Sequence, residues 1–312
     1  MPTNHTVKTR LAGTPASILR RSGVERRRTR VAYAFIAPAV ARLGLVVFYP
    51  TISSLITSLT DAQIIGPRNF IGLGNYAELF RDPRFWNALR NTSLYAVVTA
   101  PISVGLALIF ALLLNRRLPA RGVFRSVIFF PFIVSLGIIS IAWAFMLDPQ
   151  VGILAAWLSE IGLPIGNGVR DPAWAMPAVM VVGIWRNTGF FMVLYLAGLQ
   201  SIPREINEAA EIDGASGLRR FRNITWPLLA NTSLFVIVIA AIFSFQAFDQ
   251  MYVMTSGGPF FSTETMVMLI YSAGFKDYRL GYASAVSWIL VIIVLAFSLI
   301  QIGYFRKKAV QY

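Results

Sequence analysis

Residues 208–227 read EAAEIDGASGLRRFRNITWP and form a polar, basic segment between two long apolar stretches of the chain. Pro203 suits the first turn of a short helix that leads into this segment, and acidic residues in its first half favour that helix through the helix dipole. Gly214 predicts a sharp turn, because glycine accepts backbone angles that other residues avoid. A second short helix is predicted over 215–224, followed by Pro227 at the entry of the next apolar stretch. In a membrane protein, such a loop indicates a docking surface for a cytoplasmic partner.

The composition indicates a membrane protein with several spans. The chain has 312 residues, of which 56% are hydrophobic and 13% are charged, and its mean hydropathy is +0.63. A soluble globular protein carries about a quarter charged residues. There is no cysteine, and the one histidine, His5, lies in a polar N-terminal region. The sequence therefore predicts no disulfide, no thiolate or histidine metal site and no histidine acid–base chemistry.

Six apolar segments are long enough to cross a bilayer, which takes about 20 residues in a helix. Because backbone polar groups must be satisfied within the lipid, these segments should be helices, and the fold class is an all-α membrane protein. The segments are 32–58, 92–114, 123–147, 173–196, 228–248 and 282–304. The apolar stretch 265–275 is too short to span and predicts an interfacial or re-entrant helix on the outer side.

Lysine and arginine predict the orientation, since positive charge is enriched in cytoplasmic flanks. One side, which holds both termini and the 202–227 loop, has 19 of these residues, and the other side has 7. We therefore expect both termini and this loop in the cytoplasm. Charge clustered at span edges is topology information, so the net charge of +14 does not predict nucleic-acid binding.

A single transmembrane domain over 31–305 is the simplest organisation. Residues 1–30 are basic and polar with no face to bury, so we expect a disordered cytoplasmic tail held near anionic lipid. Residues 306–312 form a second short cytoplasmic tail.

The sequence contains no Gly-x-x-x-x-Gly-Lys-Ser/Thr motif, because none of its four lysines follows a glycine. A phosphate-binding P-loop is therefore not expected. If the chain belongs to an ATP-driven transporter, ATP and Mg²⁺ are bound by another subunit, and the chain itself is not an enzyme and holds no cofactor.

The spaced Glu208-Ala209-Ala210, Gly214, Ile224 and Pro227 resemble the EAA loop of binding-protein-dependent ABC importer permeases. Three further stretches are similar to the sugar-type branch: FIGLGNYAELFRDPRFWNALRNT (70–92), RGVFRSVIFFPFIVS (121–135) and FDQMYVMTSGGP (248–259). The resemblance covers roughly residues 30–305 and is nearest to the first permeases of maltose and glycerol-phosphate transporters. The chain departs from the family pattern at Trp226, where the family often has leucine.

This resemblance implies the type I importer fold, with six spans and cytoplasmic coupling helices, in the inner membrane of a prokaryote. It implies a heterodimer with a second permease, two ATP-binding subunits and an extracytoplasmic solute-binding protein or lipoprotein. It also assigns ATPase coupling to residues of the loop, namely Glu208, Ala209, Ala210, Asp213 and Gly214. The alternative from periodicity alone is an amphipathic loop lying on lipid headgroups.

Polar and aromatic residues within the fourth and fifth spans are the candidate solute contacts, because such residues usually face a cavity or a partner. They are Trp185, Arg186, Asn187, Phe190, Phe245, Gln246, Asp249 and Gln250. Aromatic faces with amide and carboxylate groups suit a polyhydroxylated ligand. Two structural alternatives stay open. Arg186 could pair with Asp249 or with an acid of a partner helix, and Gln246 and Gln250 could join helices.

The expected function is ATP-driven import of a sugar or oligosaccharide. An alternative solute is glycerol 3-phosphate or a glycerophosphodiester, whose phosphate Arg186 could hold with two hydrogen bonds. An ion-coupled secondary transporter is a distant alternative, since Asp249 is the one acid within or at the edge of a span. A membrane-embedded enzyme lacks the residues that its chemistry needs.

Overall fold

The computed structural model describes residues 23–116, 119–162, 168–215 and 217–306. Within these ranges the secondary structure is helical, apart from one antiparallel bridge between Thr60 and Phe70. The expected disorder of 1–22 and the tail 307–312 lie outside the described residues. Residues 23–30 were expected in the disordered tail, and this is wrong: they form the first two turns of a helix that continues to Leu43.

The α-helices follow in chain order, with short 3-10 and π turns between some of them. They are α1 (Gly23–Leu43), α2 (Tyr49–Ser58), α3 (Gly74–Arg81), α4 (Pro83–Leu114), α5 (Arg121–Ile133), α6 (Leu136–Met146), α7 (Ile153–Glu160), α8 (Pro172–Gln200), α9 (Arg204–Ile212), α10 (Gly217–Arg220), α11 (Trp226–Leu228), α12 (Ala230–Phe245), α13 (Met266–Tyr271) and α14 (Leu280–Arg306). The π turns are Gly44–Phe48, Phe221–Thr225, Met251–Thr255 and Ser272–Lys276.

The chain divides into two units, Met1–Ser53 and Ser54–Tyr312. In the first unit, the described side chains from 27 to 53 are exposed or half-buried. The second unit holds three clusters of buried apolar side chains. Helix α4 contributes to all three clusters. Among the described helices, the contact between α4 and α8 is the most extensive. The core of the second unit is therefore built around α4 and α8.

Four continuous helical segments are long and apolar enough to cross a membrane. They are Arg27–Ser58, Pro83–Leu114, Pro172–Gln200 and Leu280–Tyr304. Two further pairs of helices qualify only if each bent pair counts as one span, which gives the six predicted spans. The short helix predicted over 265–275 is present as Met266–Lys276.

The two long packed helices α4 and α8 begin in the same way, at an Asp-Pro pair. The Oδ1 of Asp82 accepts a hydrogen bond of 2.8 Å from the backbone N–H of Arg84, and Asp171 caps Ala173 at 2.9 Å. Proline fits the first helical position because its missing N–H would be unpaired there. Helix α4 thus begins nine residues before the predicted apolar span, since its first turns are polar and escape a hydropathy criterion.

The third and fifth spans differ from the predicted single helices. The third is broken between α5 and α6, where Val134 is extended and the axes bend by 96°. Pro131, just before the break, lacks the N–H that would continue the ladder of hydrogen bonds. The fifth span begins with helical residues Gly217–Leu228, which meet α12 at 72°. Pro227 therefore lies in a helical turn, and the change of direction follows it at Leu229.

A buried ion pair ties the start of α4 to the loop before α13. Arg84 donates from Nη2 and Nε to the two carboxylate oxygens of Glu264, at 2.6 and 2.9 Å, and the Glu264 side chain is 2% exposed. Asn91 donates to the backbone carbonyls of Phe261 and Glu264, and Thr92 accepts from the N–H of Met266. The polar first turns of α4 thereby hold a loop that is 170 or more residues away in the chain.

Candidate functional site

A cavity of about 330 Å³ lies where the two broken spans meet α4 and α8. Five of the eight predicted solute contacts line it, namely Arg186, Asn187, Gln246, Asp249 and Gln250. Helix α12 ends at Phe245, and residues 246–248 leave the helical ladder before helical backbone resumes at Asp249. Gln246, Asp249 and Gln250 on this interrupted stretch present polar groups at the cavity wall. Interrupted helices are tolerated at membrane depth where they line a cavity.

Seven further residues, none of them among the predicted contacts, complete the lining. They are Tyr95, Phe132, Leu136, Gly183, Phe243, Ala247 and Phe248. Tyr95 comes from α4 and Phe132 from the end of α5, so neither is close in sequence to the predicted clusters. An available signal was the Pro131 break, which marks where a span opens toward a cavity.

The other three predicted contacts are absent from this lining. Trp185 is 44% exposed and packs edge-on against Trp143, with ring centroids 5.6 Å apart. Phe190 stacks on Phe132 at 4.4 Å and so supports the cavity wall from behind. Phe245 is buried against Phe297 in a different cluster. Packing therefore separates residues that were grouped because they are polar or aromatic and lie in the same two spans.

Arg186 lies against an aromatic ring and forms no direct ion pair with Asp249. Its guanidinium carbon is 4.6 Å from the ring centroid of Phe132, and its Nη1 donates to Asn187 at 3.3 Å. Within the described part of the chain, no carboxylate oxygen lies within 4.0 Å of its nitrogens. Its buried Nε has no hydrogen-bond partner there either. Arg186 thus offers an unused donor at the cavity.

Gln250 is almost completely buried, at 2% exposed, and only one end of its carboxamide has a hydrogen-bond partner among the described residues. Its Nε2 donates a 2.7 Å hydrogen bond to Tyr95 Oη. Its Oε1 is buried, and among the described residues it has no partner. The cavity wall therefore includes a buried donor nitrogen and a buried acceptor oxygen that have no partner among the described residues, together with the carboxylate of Asp249 and aromatic rings.

The predicted coupling loop has the turn that its sequence indicates. Helix α9 ends at Ile212, and Gly214 follows with a φ of +71°. The N–H of Ala215 donates to the carbonyl of Ala210 at 2.9 Å, which is the hydrogen bond of a Schellman cap. The helix resumes at Gly217; Ser216 lies outside the described residues. The loop is therefore a helix–turn–helix with a left-handed glycine at the turn.

Four of the five predicted coupling residues are exposed: Glu208, Ala209, Asp213 and Gly214. Ala210 is buried, at 4% exposed, so it fixes the loop to the protein instead of reaching outward. Ile212 and Leu218 are 87% and 82% exposed on either side of the turn. Exposed apolar side chains beside exposed acids are typical of a surface that binds another protein.

The chain matches the family described as "Binding-protein-dependent transport system inner membrane component" over residues 103–306. It is 34% identical to the sn-glycerol-3-phosphate transport system permease protein UgpA of Agrobacterium fabrum, over 88% of the chain and 94% of that protein. It is 38% identical to the lactose transport system permease protein LacF of Rhizobium radiobacter, with the same coverage.

Among solved structures, the fold is similar to a chain of a bacterial alginate ABC transporter, crystallised with a periplasmic protein bound to an alginate pentasaccharide. The TM-score is 0.81, the identity is 22%, and the match covers 92% of this chain and 98% of that one.

Proposed function

Because the chain belongs to the family of binding-protein-dependent transport system inner membrane components, we propose that it is the permease subunit of an ATP-driven importer of sugars or oligosaccharides. In this proposal the solute passes through the cavity between α4, α8 and the two broken spans. The family membership leaves the ion-coupled secondary transporter without support.

The observation that carries this proposal is a cavity within apolar helices that combines polar groups with aromatic rings. Polar side chains at membrane depth are costly and mark solute pathways. A sugar offers hydroxyl groups, which donate and accept hydrogen bonds, and C–H faces that stack on aromatic rings. Gln246 and Asn187 supply amides, Asp249 a carboxylate, and Phe243 and Phe248 supply rings.

A second solute class is glycerol 3-phosphate or a glycerophosphodiester. The unused Nε of Arg186 favours it, because guanidinium groups bind phosphate oxygens strongly. The similarity to a glycerol-3-phosphate permease also favours it. Asp249 argues against this class, because its carboxylate lines the same cavity and would repel a phosphate group.

Energy comes from partner subunits in this proposal. The chain has no P-loop motif, so ATP and Mg²⁺ are bound by two ATP-binding subunits that dock on the exposed loop around Gly214. A second permease completes the solute pathway, and an extracytoplasmic binding protein delivers the solute. In this proposal the coupling loop and both termini lie in the cytoplasm, which the excess of arginine and lysine beside them supports.

Reconstitution tests the proposal. We expect proteoliposomes with both permeases, the ATP-binding subunits and the cognate binding protein to accumulate lactose when ATP is supplied on the side of the coupling loop. Accumulation of sn-glycerol 3-phosphate in place of lactose would select the second solute class. Uptake by this chain alone, without ATP and driven by an ion gradient, would contradict the proposal.

A further inference from the structure

We propose that Tyr95 is a positioning residue, which holds the carboxamide of Gln250 so that its Oε1 accepts a hydrogen bond from a hydroxyl group of the transported solute. This inference rests on the proposed function, because it assigns a role within the same cavity. It adds a residue from α4, a helix that contributed no predicted contact, and it defines which part of the solute that wall recognises.

The contact between Tyr95 and Gln250 is fully enclosed. Tyr95 is 1% exposed and Gln250 is 2% exposed, and the hydrogen bond from Nε2 to Oη measures 2.7 Å. Gln250 lies between the end of α12 and the π turn that begins at Met251. Its backbone is helical (φ −68°, ψ −35°), and in the structure its Nε2 faces the tyrosine hydroxyl on α4 while Oε1 takes no part in that contact.

The other end of the carboxamide defines the chemistry of the subsite. Oε1 of Gln250 is buried, and it finds no donor among the described residues. A buried acceptor without a partner is costly, because it has lost its hydrogen bonds to water. Since Gln250 lines the cavity, a donor on the solute would satisfy it.

A hydroxyl group can supply that donor, whereas an ionised phosphate or carboxylate offers only acceptors. Placed against Oε1, an anionic group would bring two acceptors together. The wall formed by Tyr95 and Gln250 therefore recognises a hydroxyl-bearing part of the solute. In a glycerol phosphate this would be the glycerol end, and the phosphate would lie toward Arg186.

Gly183 on α8 makes room for the tyrosine hydroxyl. A Cβ built on Gly183 would overlap Oη of Tyr95 and would lie 3.1 Å from its Cζ. An alanine at this position would therefore push the ring away from Gln250. The two helices of the core approach closely at the point where the hydrogen bond forms.

A second polar contact joins α4 to α12 beside this one. The hydroxyl groups of Thr99 and Ser244 are 3.1 Å apart, and both residues are buried. The segment that carries Gln250 is thus attached to α4 on both sides of the end of α12. This arrangement supports a fixed orientation of the carboxamide while the solute is bound.

The experiment measures solute transported per ATP hydrolysed in proteoliposomes of the complete transporter, with lactose and sn-glycerol 3-phosphate as probes at concentrations well below the wild-type KM, where the ratio follows solute affinity. We expect Tyr95→Phe to lower this ratio about three- to tenfold, the effect of losing one hydrogen bond. Gly183→Ala should lower it at least as far. Tyr33→Phe, at a 70% exposed tyrosine, and Gly105→Ala, at a helical glycine with open space around it, are matched controls that keep the wild-type ratio.

Two variants of Gln250 test the acceptor itself. Gln250→Leu removes it and should lower the ratio, whereas Gln250→Glu retains an acceptor oxygen and should keep more of the ratio than leucine does. These variants leave Tyr95 intact, so they decide the matter even if Tyr95→Phe does not assemble with its partners.

The outcomes separate the two proposals. If the wild-type transporter moves a probe and Gln250→Leu keeps the wild-type ratio, the inference is wrong and the proposed function stands. A wild-type ratio in Tyr95→Phe would likewise overturn the positioning role. If the wild-type transporter moves neither probe in response to ATP, the proposed function fails in this form, and the inference fails with it.

Discussion

Arg186 illustrates how much one residue's role depends on its neighbours. The sequence left open whether it pairs with Asp249 or meets a ligand. In the structure its guanidinium stacks against Phe132, and its Nε has no partner among the described residues. Stacking of this kind holds the plane of the guanidinium while its nitrogens stay available. Arg186 therefore lines the cavity without an ion pair to Asp249, which supports the proposed contact with a solute over the structural alternative.

We expect Arg186→Ala to lower solute-stimulated ATP hydrolysis of the reconstituted transporter more than hydrolysis without solute, by about tenfold if one charged hydrogen bond is lost. Arg186→Lys should already impair uptake if the solute carries a phosphate, because lysine cannot replace a two-point contact with phosphate. Normal uptake by this variant would argue against the phosphate-bearing solutes. Arg68→Ala, at an exposed loop arginine, is the control. An equal loss with and without solute would instead favour a structural role.

At the scale of elements, the coupling loop depends on one backbone angle. Gly214 has a φ of +71°, and the cap that it closes joins Ala215 to Ala210. Proline fixes φ near −65° and cannot adopt this conformation. The turn decides the angle between α9 and the next helix, and therefore the shape of the docking surface that we propose.

Gly214→Pro should abolish ATP-driven uptake while the chain still inserts into the membrane, because the turn lies outside the apolar spans. Glu208→Lys should have the same effect through a reversed charge on the exposed face. Gly105→Ala is the control, since it lies on α4 outside the loop and an added Cβ there meets open space. Uptake assays beside membrane fractionation measure both quantities, and normal uptake by Gly214→Pro would remove the coupling role.

The Arg84–Glu264 ion pair is a second element-scale feature, and its burial predicts a large effect on stability. Arg84→Ala should leave the buried carboxylate of Glu264 without its charged partner and destabilise the protein by about 3 kcal/mol, measured by thermal unfolding of the purified transporter. The Arg279–Glu78 pair is equally short at 2.6 Å, but both side chains are about half exposed. Glu78→Ala should therefore cost about 1 kcal/mol or less. Equal effects of the two changes would show that burial is not the cause.

At the scale of the whole molecule, the predicted orientation is the untested feature on which the partners depend. The natural chain has no cysteine, so a single introduced cysteine reports the side on which it lies. We expect Leu218→Cys in the coupling loop to resist a membrane-impermeant maleimide in intact cells and to react after the cells are opened. Phe260→Cys, at a 90% exposed position in the loop between the fifth and sixth spans, should react in intact cells. The reverse pattern would invert the topology.

Local patterns were sufficient for the helices and the loop. Hydropathy indicated the spans, although it began α4 nine residues late, because the first turns of that helix are polar. The turn at Gly214 also follows from local chemistry, since few residues other than glycine adopt a left-handed angle at low cost. Both features depend on residues that are close together in the chain.

What the sequence by itself determined is therefore an all-α membrane chain with a helix–turn–helix loop between its fourth and fifth spans and a set of polar groups in those spans. The tertiary structure alone decided which of these groups share a cavity. It excluded Trp185, Phe190 and Phe245 from the lining and added Tyr95, which lies 155 positions before Gln250 in the chain. The physical reason is that a residue's position along a helix determines the direction in which its side chain points. Packing between helices that are distant in the chain determines which groups that side chain contacts.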